Sequence, residues 1–357
     1  MPKTYKNLYP QICAFDNLYQ AHRQARRGGK RKKSQVAEFE HNLGENLLRL
    51  QEELETQTYR PGPYYNFIVI ERKERKISAA PYRDRVVHHA LINVIEPLFE
   101  ARLIHDTYAN RVGKGTHRAL DRAQHFARRY PYVLKCDVRE FFPSVDHAIL
   151  RRLLARHVAC PSTLWLIDRI LESGAGILAD RYTPVYFPGD DLFAVNRPRG
   201  LPIGNLTSQH WANLYLHPLD LFIKQELHCG KRRGGYLRYS DDFVLFAADK
   251  PTLHRWRGEI IAFLQSFRLT IHEHQAQVFP VKNGVDFLGW RLFPHHRRLR
   301  RDNVRHAVRR LRRQQAAYRR GELTTEDLSA SVRAWLAHAA HGNTYQLRRR
   351  IMRQFVF

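Results

Sequence analysis

Apolar positions change period along this chain, and each change predicts an element. From Val36-Ala37-Glu38-Phe39 to Leu54 they recur at the spacing of an amphipathic helix, within a charged, helical stretch running from residue 1 to about 60. The basic break Arg26-Arg27-Gly28-Gly29-Lys30-Arg31-Lys32-Lys33 interrupts that stretch, which reads as an added N-terminal element. Pro61-Gly62-Pro63 ends the helical pattern. Tyr64-Tyr65-Asn66-Phe67-Ile68-Val69-Ile70 is aromatic and β-branched and predicts a strand, with a basic hairpin following at Glu71 to Ile77. Helical spacing returns from Asp84 to about Leu103, and the loop Gly113-Lys114-Gly115-Thr116 precedes a helix starting near Thr116.

Tyr132-Val133-Leu134-Lys135-Cys136-Asp137 reads as a buried strand ending in an acid, with Asp146 placed to cap the next helix. The stretch from Gly174 to Gly200, rich in Gly, Pro and Asp, predicts an extended loop or ribbon, and Thr207 or Ser208 is expected to cap a helix through Leu219. Strand signals return from Tyr236 to Ala247. From Asp302 the pattern predicts a pair of strongly basic helices, the second capped near Thr324 or Thr325. There is no internal repeat. Helices alternating with short, pairable strands predict an α+β fold rather than a doubly wound parallel sheet.

Composition adds a partner. The chain has 357 residues, 43% of them hydrophobic, enough for a substantial core. Sixty Lys and Arg stand against 34 Asp and Glu, a formal charge of +26 that exceeds any need of solubility and implies a polyanion. Basic groups gain affinity by displacing counterions at phosphates, and 17 Tyr, 19 Phe and 5 Trp offer stacking surfaces beside them. The rival reading is a basic surface with no partner. Cys13, Cys136, Cys160 and Cys229 form no C-x-x-C pair and have no histidine at zinc-ligand spacing, so reduced thiols in a cytoplasmic protein are expected. The N-terminus lacks an apolar signal core and no run is long enough to span a bilayer, so neither secretion nor membrane insertion is expected.

The chemistry concentrates in Tyr236-Leu237-Arg238-Tyr239-Ser240-Asp241-Asp242-Phe243-Val244-Leu245-Phe246, where apolar half-strands flank adjacent carboxylates at the tip of a hairpin. A divalent cation or a basic partner would offset their repulsion; a plain Asp-rich turn explains this segment alone equally well. The strand ending in Asp137 tips the balance, because two strands can bring three carboxylates together. Hard oxygen ligands suit Mg²⁺, and two such ions can activate a hydroxyl and stabilise a leaving oxygen in an in-line displacement, the chemistry of nucleotidyl transfer.

These residues match a known family. Tyr239-Ser240-Asp241-Asp242 resembles the Tyr-x-Asp-Asp box of reverse transcriptases, and Asp137-Val138-Arg139-Glu140-Phe141-Phe142 resembles their first palm motif. Gly200-Leu201-Pro202-Ile203-Gly204-Asn205-Leu206-Thr207-Ser208-Gln209 stands in the place of the second motif, and Phe287-Leu288-Gly289-Trp290 resembles the primer grip. The resemblance runs from about Tyr65 to the C-terminus. It implies a right-hand polymerase: a basic helical extension at 1–60, fingers and palm at 61–291, and a short helical thumb at 292–357. Ile203-Gly204-Asn205 with Ser208-Gln209 is similar to the form found in diversity-generating retroelement reverse transcriptases. Those enzymes copy a template-repeat RNA with errors at adenines and work with a small basic accessory protein. Defence-associated or group II intron-like reverse transcription is the nearer alternative, and a non-catalytic RNA-binding scaffold the remote one.

The resemblance also implies roles. Asp137, Asp241 and Asp242 would be catalytic, and with Val138 would form the site of two Mg²⁺ ions. Lys73 and Arg75 would meet the incoming triphosphate, where a solvated charged turn is the plainer reading. Phe142 stands where the family has its sugar gate, with Phe141 as the other candidate for that ring and a core aromatic as the alternative; Gln209 would align the nucleotide. Template and primer contacts would fall to Arg111, Lys114, Gly204, Asn205, Tyr239, Leu288 and Gly289. A P-loop is excluded, because Tyr108 stands where its first glycine should be. The arginine-rich tail from Arg297 to Arg320 suits a thumb that follows a duplex backbone. Expected partners are an RNA template, a DNA or RNA primer, dNTPs and the accessory protein, with no membrane.

Overall fold

A computed structural model describes residues 4–29, 33–70, 74–230 and 233–355. Its centre is an antiparallel sheet of four strands in the order β4-β5-β3-β6, with β3 Tyr132–Asp137, β4 Gly234–Tyr239, β5 Asp242–Ala247 and β6 Val278–Pro280. Side chains alternate across a strand, and here both faces are buried. Leu134, Cys136, Tyr236, Phe243 and Leu245 enter one core, while Val133, Leu237, Val244 and Phe246 enter another. That explains why these strands read as unbroken apolar runs.

The first core is shared with the N-terminal helices. Leu18 and Ala21 of helix Phe15–Ala25 and Leu47, Leu50 and Leu54 of helix Leu43–Glu55 join Val86, Ala90 and Leu91 of helix Tyr82–Glu100 in one continuous cluster. The stretch that looks added in sequence is therefore integral to the packing. The second core joins helix Thr116–Arg129 to the C-terminal segment through Phe126, Trp290, Leu311 and Trp335.

Outside the sheet stand two smaller antiparallel units. β1 Tyr65–Ile70 pairs with β2 Glu74–Ala79, from Tyr65 opposite Ala79 to Ile70 opposite Glu74. The hairpin expected to follow at Glu71 to Ile77 instead takes the preceding strand as its first arm and Glu74–Ala79 as its second, and Glu71 to Lys73 lie outside the described residues. β7 Val285–Phe287, β8 Trp290–Leu292 and β9 Arg297–Leu299 form the other sheet and lead into helix Arg301–Arg319. The arrangement is the α+β, right-hand one that the resemblance implies, with palm, fingers ribbon and helical thumb.

Several local expectations hold. Asp146 caps helix His147–Ala155 by accepting the Ile149 N–H at 2.9 Å, and Thr324 caps helix Thr325–Ala340 through the Asp327 N–H at 3.2 Å. Others are corrected. The helix expected to start at a Thr207 or Ser208 cap runs Leu206–Tyr215; Asn205 occupies the cap position without a side-chain bond, and both hydroxyl residues are buried in the first turn. A second short helix, His217–Leu221, follows. The thumb has three helices, not a basic pair: Thr325–Ala340 begins with Glu326 and Asp327, and the arginines Arg348, Arg349 and Arg350 sit on Tyr345–Met352. The stretch from Gly174 to Gly200 is irregular, with only short turns at Ala179–Arg181 and Leu192–Asn196.

Candidate active site

β3 ends on Asp137 and β5 begins on Asp242, and the ladder register sets these residues directly opposite one another. Asp241 shares with Ser240 the two-residue turn between β4 and β5, closed by the pair Tyr239 and Asp242. Ser240 adopts φ 58°, a left-handed conformation uncommon outside glycine. The Asp241 carbonyl accepts the Val138 N–H at 3.3 Å, and the Asp137 carbonyl accepts the His272 N–H at 3.0 Å. Three carboxylates therefore stand at one end of the sheet on pinned main chain.

Burial pushes the Asp241 carboxyl above the usual range, and the like charge of Asp242 adds to it; hydrogen bonds and the charge of Arg75 on β2 oppose the shift. The Lys135 ammonium stands 3.2 Å from Asp242 Oδ1, an atom that is buried and accepts no hydrogen bond. Lys135 lies two residues before Asp137 and so on the same face of β3. A buried carboxylate oxygen held by a single ammonium, beside two further aspartates, fits a hard divalent cation. Among the described residues no three His, Cys, Asp or Glu side chains close a ready-made cage.

The other expected residues divide sharply. Arg75 is exposed on β2, and Lys73 lies outside the described residues. Phe142 is half-buried with its ring centroid 5.6 Å from that of Phe141, which is itself 2% exposed; of the pair, Phe141 is the core aromatic. Gln209, in the first turn of Leu206–Tyr215, lines an open groove with Arg27, Asn110 and His210. Asn205 is buried, its Oδ1 accepting the Ala80 N–H at 3.4 Å and its Nδ2 left without a partner. Gly204, at φ 115°, lies so close to β2 that a Cβ would come within 2.9 Å of Ile77 Cγ2. Only glycine lets this loop reach the strand, where the Ser78 N–H donates to the Ile203 carbonyl at 2.9 Å.

Tyr239 is half-buried and its phenol oxygen accepts from Thr116 Oγ1 at 3.2 Å. Leu288 and Gly289 turn β7 into β8 with φ 45° and 84°, and the Gly289 carbonyl accepts from Asn303 Nδ2 at 2.8 Å, tying the turn to the thumb. Arg111 and Lys114 do not reach outward. Arg111 donates to the Glu100 carboxylate at 2.9 Å and to the Ile104 and Thr107 carbonyls, and Lys114 donates to the His105 carbonyl at 2.8 Å. These bonds brace the 104–114 loop through a Glu100 contact that local sequence does not show. Lys135 and the buried Arg238, whose guanidinium reaches the Ser240 carbonyl at 2.9 Å, were not singled out in the sequence.

The family model for reverse transcriptase (RNA-dependent DNA polymerase) matches residues 70–292, a span that includes both acid-bearing strands. The chain belongs to the reverse transcriptase family. As a reverse transcriptase it is a nucleotidyltransferase, an RNA-directed DNA polymerase that acts on a nucleic-acid template and primer with dNTPs, and its family uses divalent metal ions. Protein YkfC of Escherichia coli K12 is 23% identical over 286 residues, covering 70% of this chain and 72% of that one. The group II intron-encoded protein LtrA of Lactococcus lactis is also 23% identical, over 51% of this chain but 28% of its own length. A solved apo telomerase from Candida tropicalis aligns with TM-score 0.48 and 11% identity over 70% of this chain and 59% of that one. Among the described residues no helix is long and apolar enough to cross a membrane.

Proposed function

We propose that this reverse transcriptase makes cDNA by two-metal nucleotidyl transfer and is the error-prone polymerase of a diversity-generating retroelement, copying a template-repeat RNA. The observation that carries the chemistry is Asp137 facing Asp242 across the ladder with Asp241 in the adjoining turn. Asp137, Asp241, Asp242 and the Val138 main chain would hold two Mg²⁺ ions. When bound, the ions make the primer 3′-hydroxyl a better nucleophile and stabilise the leaving pyrophosphate oxygen.

The chain's own residues position the reactants. Arg75, with Lys73, neutralises the triphosphate, and the effect of its charge on Asp241 places it within electrostatic reach of that acid. Phe142 presents the half-buried ring that excludes a ribose 2′-hydroxyl. Gln209 and the Gly204-Asn205 loop meet the templating pair, and Asn205 Nδ2 is a buried donor with no hydrogen-bond partner among the described residues. Tyr239, Leu288 and Gly289 support the primer strand. Replacing Phe142 by Ala should raise ribonucleotide incorporation relative to dNTPs by tenfold or more, on the order of the loss of one well-packed contact; an unchanged ratio in competition assays would return Phe142 to a packing role.

The retroelement reading rests on the Ile203-Gly204-Asn205 and Ser208-Gln209 form of the second motif. The likeness to an intron-encoded protein favours a second reading, a group II intron-like or defence-associated enzyme. Primer extension on RNA with Mg²⁺, followed by sequencing of the cDNA with and without a small basic accessory protein, separates them. Errors concentrated opposite adenine support the retroelement; accurate cDNA supports the second reading; no synthesis with native RNA and accessory protein would leave an RNA-binding scaffold.

A further inference from the structure

A fully buried polar cluster lies directly behind the acidic turn. Arg238 and Asp220 are both fully buried and joined by a two-point ion pair, Nε to Oδ1 at 2.8 Å and Nη2 to Oδ2 at 2.6 Å. Asp220 also accepts from the Tyr236 hydroxyl at 2.6 Å and from Thr107 Oγ1 at 3.2 Å. The remaining guanidinium donors go to Asn213, Nη1 to its Oδ1 and Nη2 to its carbonyl, each at 3.2 Å, and from Nη1 to the Ser240 carbonyl at 2.9 Å. Asn213 in turn donates to the Ala109 carbonyl at 2.8 Å. On the main chain, the Arg238 N–H donates to the Asp106 carbonyl at 2.9 Å and its carbonyl accepts the Tyr108 N–H at 3.0 Å.

The side chain thus joins β4 and its turn to helices Leu206–Tyr215 and His217–Leu221, and the Arg238 main chain with Asp220 and Asn213 binds the 106–109 loop to them. Stability does not account for it, since a buried ion pair is often no more stabilising than an apolar pair of the same volume. What the pair does uniquely is fix geometry. Ser240 is a non-glycine residue in a left-handed conformation, and such a conformation persists only where its surroundings hold it. The fork of Arg238 grips the carbonyl of that residue, which immediately precedes Asp241. A lysine in the same place has no fork and three donors for the five bonds that the guanidinium makes to Asp220, Asn213 and Ser240.

We propose that Arg238, locked by Asp220, is a positioning residue for the metal site: through the Ser240 carbonyl it sets where Asp241 and Asp242 present their carboxylates. This rests on the reading of those aspartates as metal ligands. Because Arg238 touches neither substrate nor metal, its loss acts through the placement of the acids. Metal-dependent nucleotide binding therefore suffers along with turnover, while RNA affinity does not.

The test uses the full chain with the double variant R238M/D220N, which removes both charges together and leaves Tyr236 and Thr107 an acceptor. Three quantities are read: the melting temperature, the Mg²⁺ concentration for half-maximal binding of a dNTP to a complex with a dideoxy-terminated primer, and kcat for extension. The expected result is a folded protein whose Mg²⁺ midpoint rises fivefold or more and whose kcat falls tenfold or more, with Mn²⁺ narrowing both gaps. A folded variant with wild-type midpoint and kcat would overturn the proposal. Arg238→Lys, which keeps the charge beside Asp220 but loses the fork, gives the same reading should the double variant not fold. Asp241→Asn is run alongside: if it retains synthesis, the metal-site reading falls and this proposal with it, whereas a dead Asp241→Asn beside an unaffected R238M/D220N removes this proposal alone.

Discussion

Two antiparallel ribbons of equal strand length, β1–β2 and β4–β5, have opposite fates. In β4–β5 every residue from Gly234 to Arg238 and from Phe243 to Ala247 is buried. In β1, by contrast, Tyr65, Phe67, Ile68 and Ile70 are exposed, Ile70 to 82%. The buried ribbon sits between two cores and ends in the acids, so it can hold carboxylates still. The exposed ribbon keeps apolar and aromatic surface turned outward, with the Tyr65 and Phe67 rings 5.8 Å apart, available to a stacked base or a ribose. On the proposed reading, chemistry belongs to the buried ribbon and substrate contact to the accessible one.

Substitutions should expose that division. The largest effect belongs to the acids: Asp137→Asn or Asp242→Asn should cut primer extension by at least about a thousandfold, with RNA affinity by filter binding within twofold. A modest loss would mean that the ribbon tip is not where metal is held. Next comes packing. A Cβ on Gly235 would meet the Phe126 ring at 2.4 Å, and Gly235→Ala should cost about 1–3 kcal/mol by denaturant titration. On the exposed ribbon the opposite pattern is expected. Phe67→Ser with Ile68→Ser should change stability by about 0.5 kcal/mol or less yet weaken template–primer binding several-fold; a large loss of stability with unchanged binding would erase the distinction.

The smallest effect concerns charge. Asp241 has its folded pKa raised, first by burial and then by Asp242, so the metal-free fold binds its proton more tightly than the unfolded chain does. Stability from this group is present below the ordinary aspartate pKa and is lost as pH rises through the raised one. Asp241→Asn should therefore slightly raise the melting temperature in EDTA at neutral pH, with the gain vanishing in acid. A lowered melting temperature at pH 7 would show that Asp241 is held ionised by partners of its own.

The legible parts of the sequence were those whose cause is local. The apolar half-strands around Ser240-Asp241-Asp242 announce a hairpin, and Asp146 and Thr324 announce caps, because strand period and capping act within a few residues. What escaped was set by distant partners. Arg238 interrupts an apolar run, and its reason, Asp220, arrives only when β4 packs beside helix His217–Leu221. Arg111 looked available because Glu100 is eleven residues away on a different element. The Thr207 cap failed because Asn205 ends its loop against β2, which starts the helix two residues early. Lys135 could have been found: period-two alternation puts it on the face of Asp137.

The most direct measurement is single-turnover extension of a primer on RNA by the wild-type chain and Asp241→Asn across a Mg²⁺ titration, with nucleic-acid binding followed in the same samples. The predicted result is Mg²⁺-dependent extension by the wild type and none by the variant at any Mg²⁺ concentration, with equal binding by both. Comparable extension by Asp241→Asn would contradict the assignment of the active site to the β3–β5 acids.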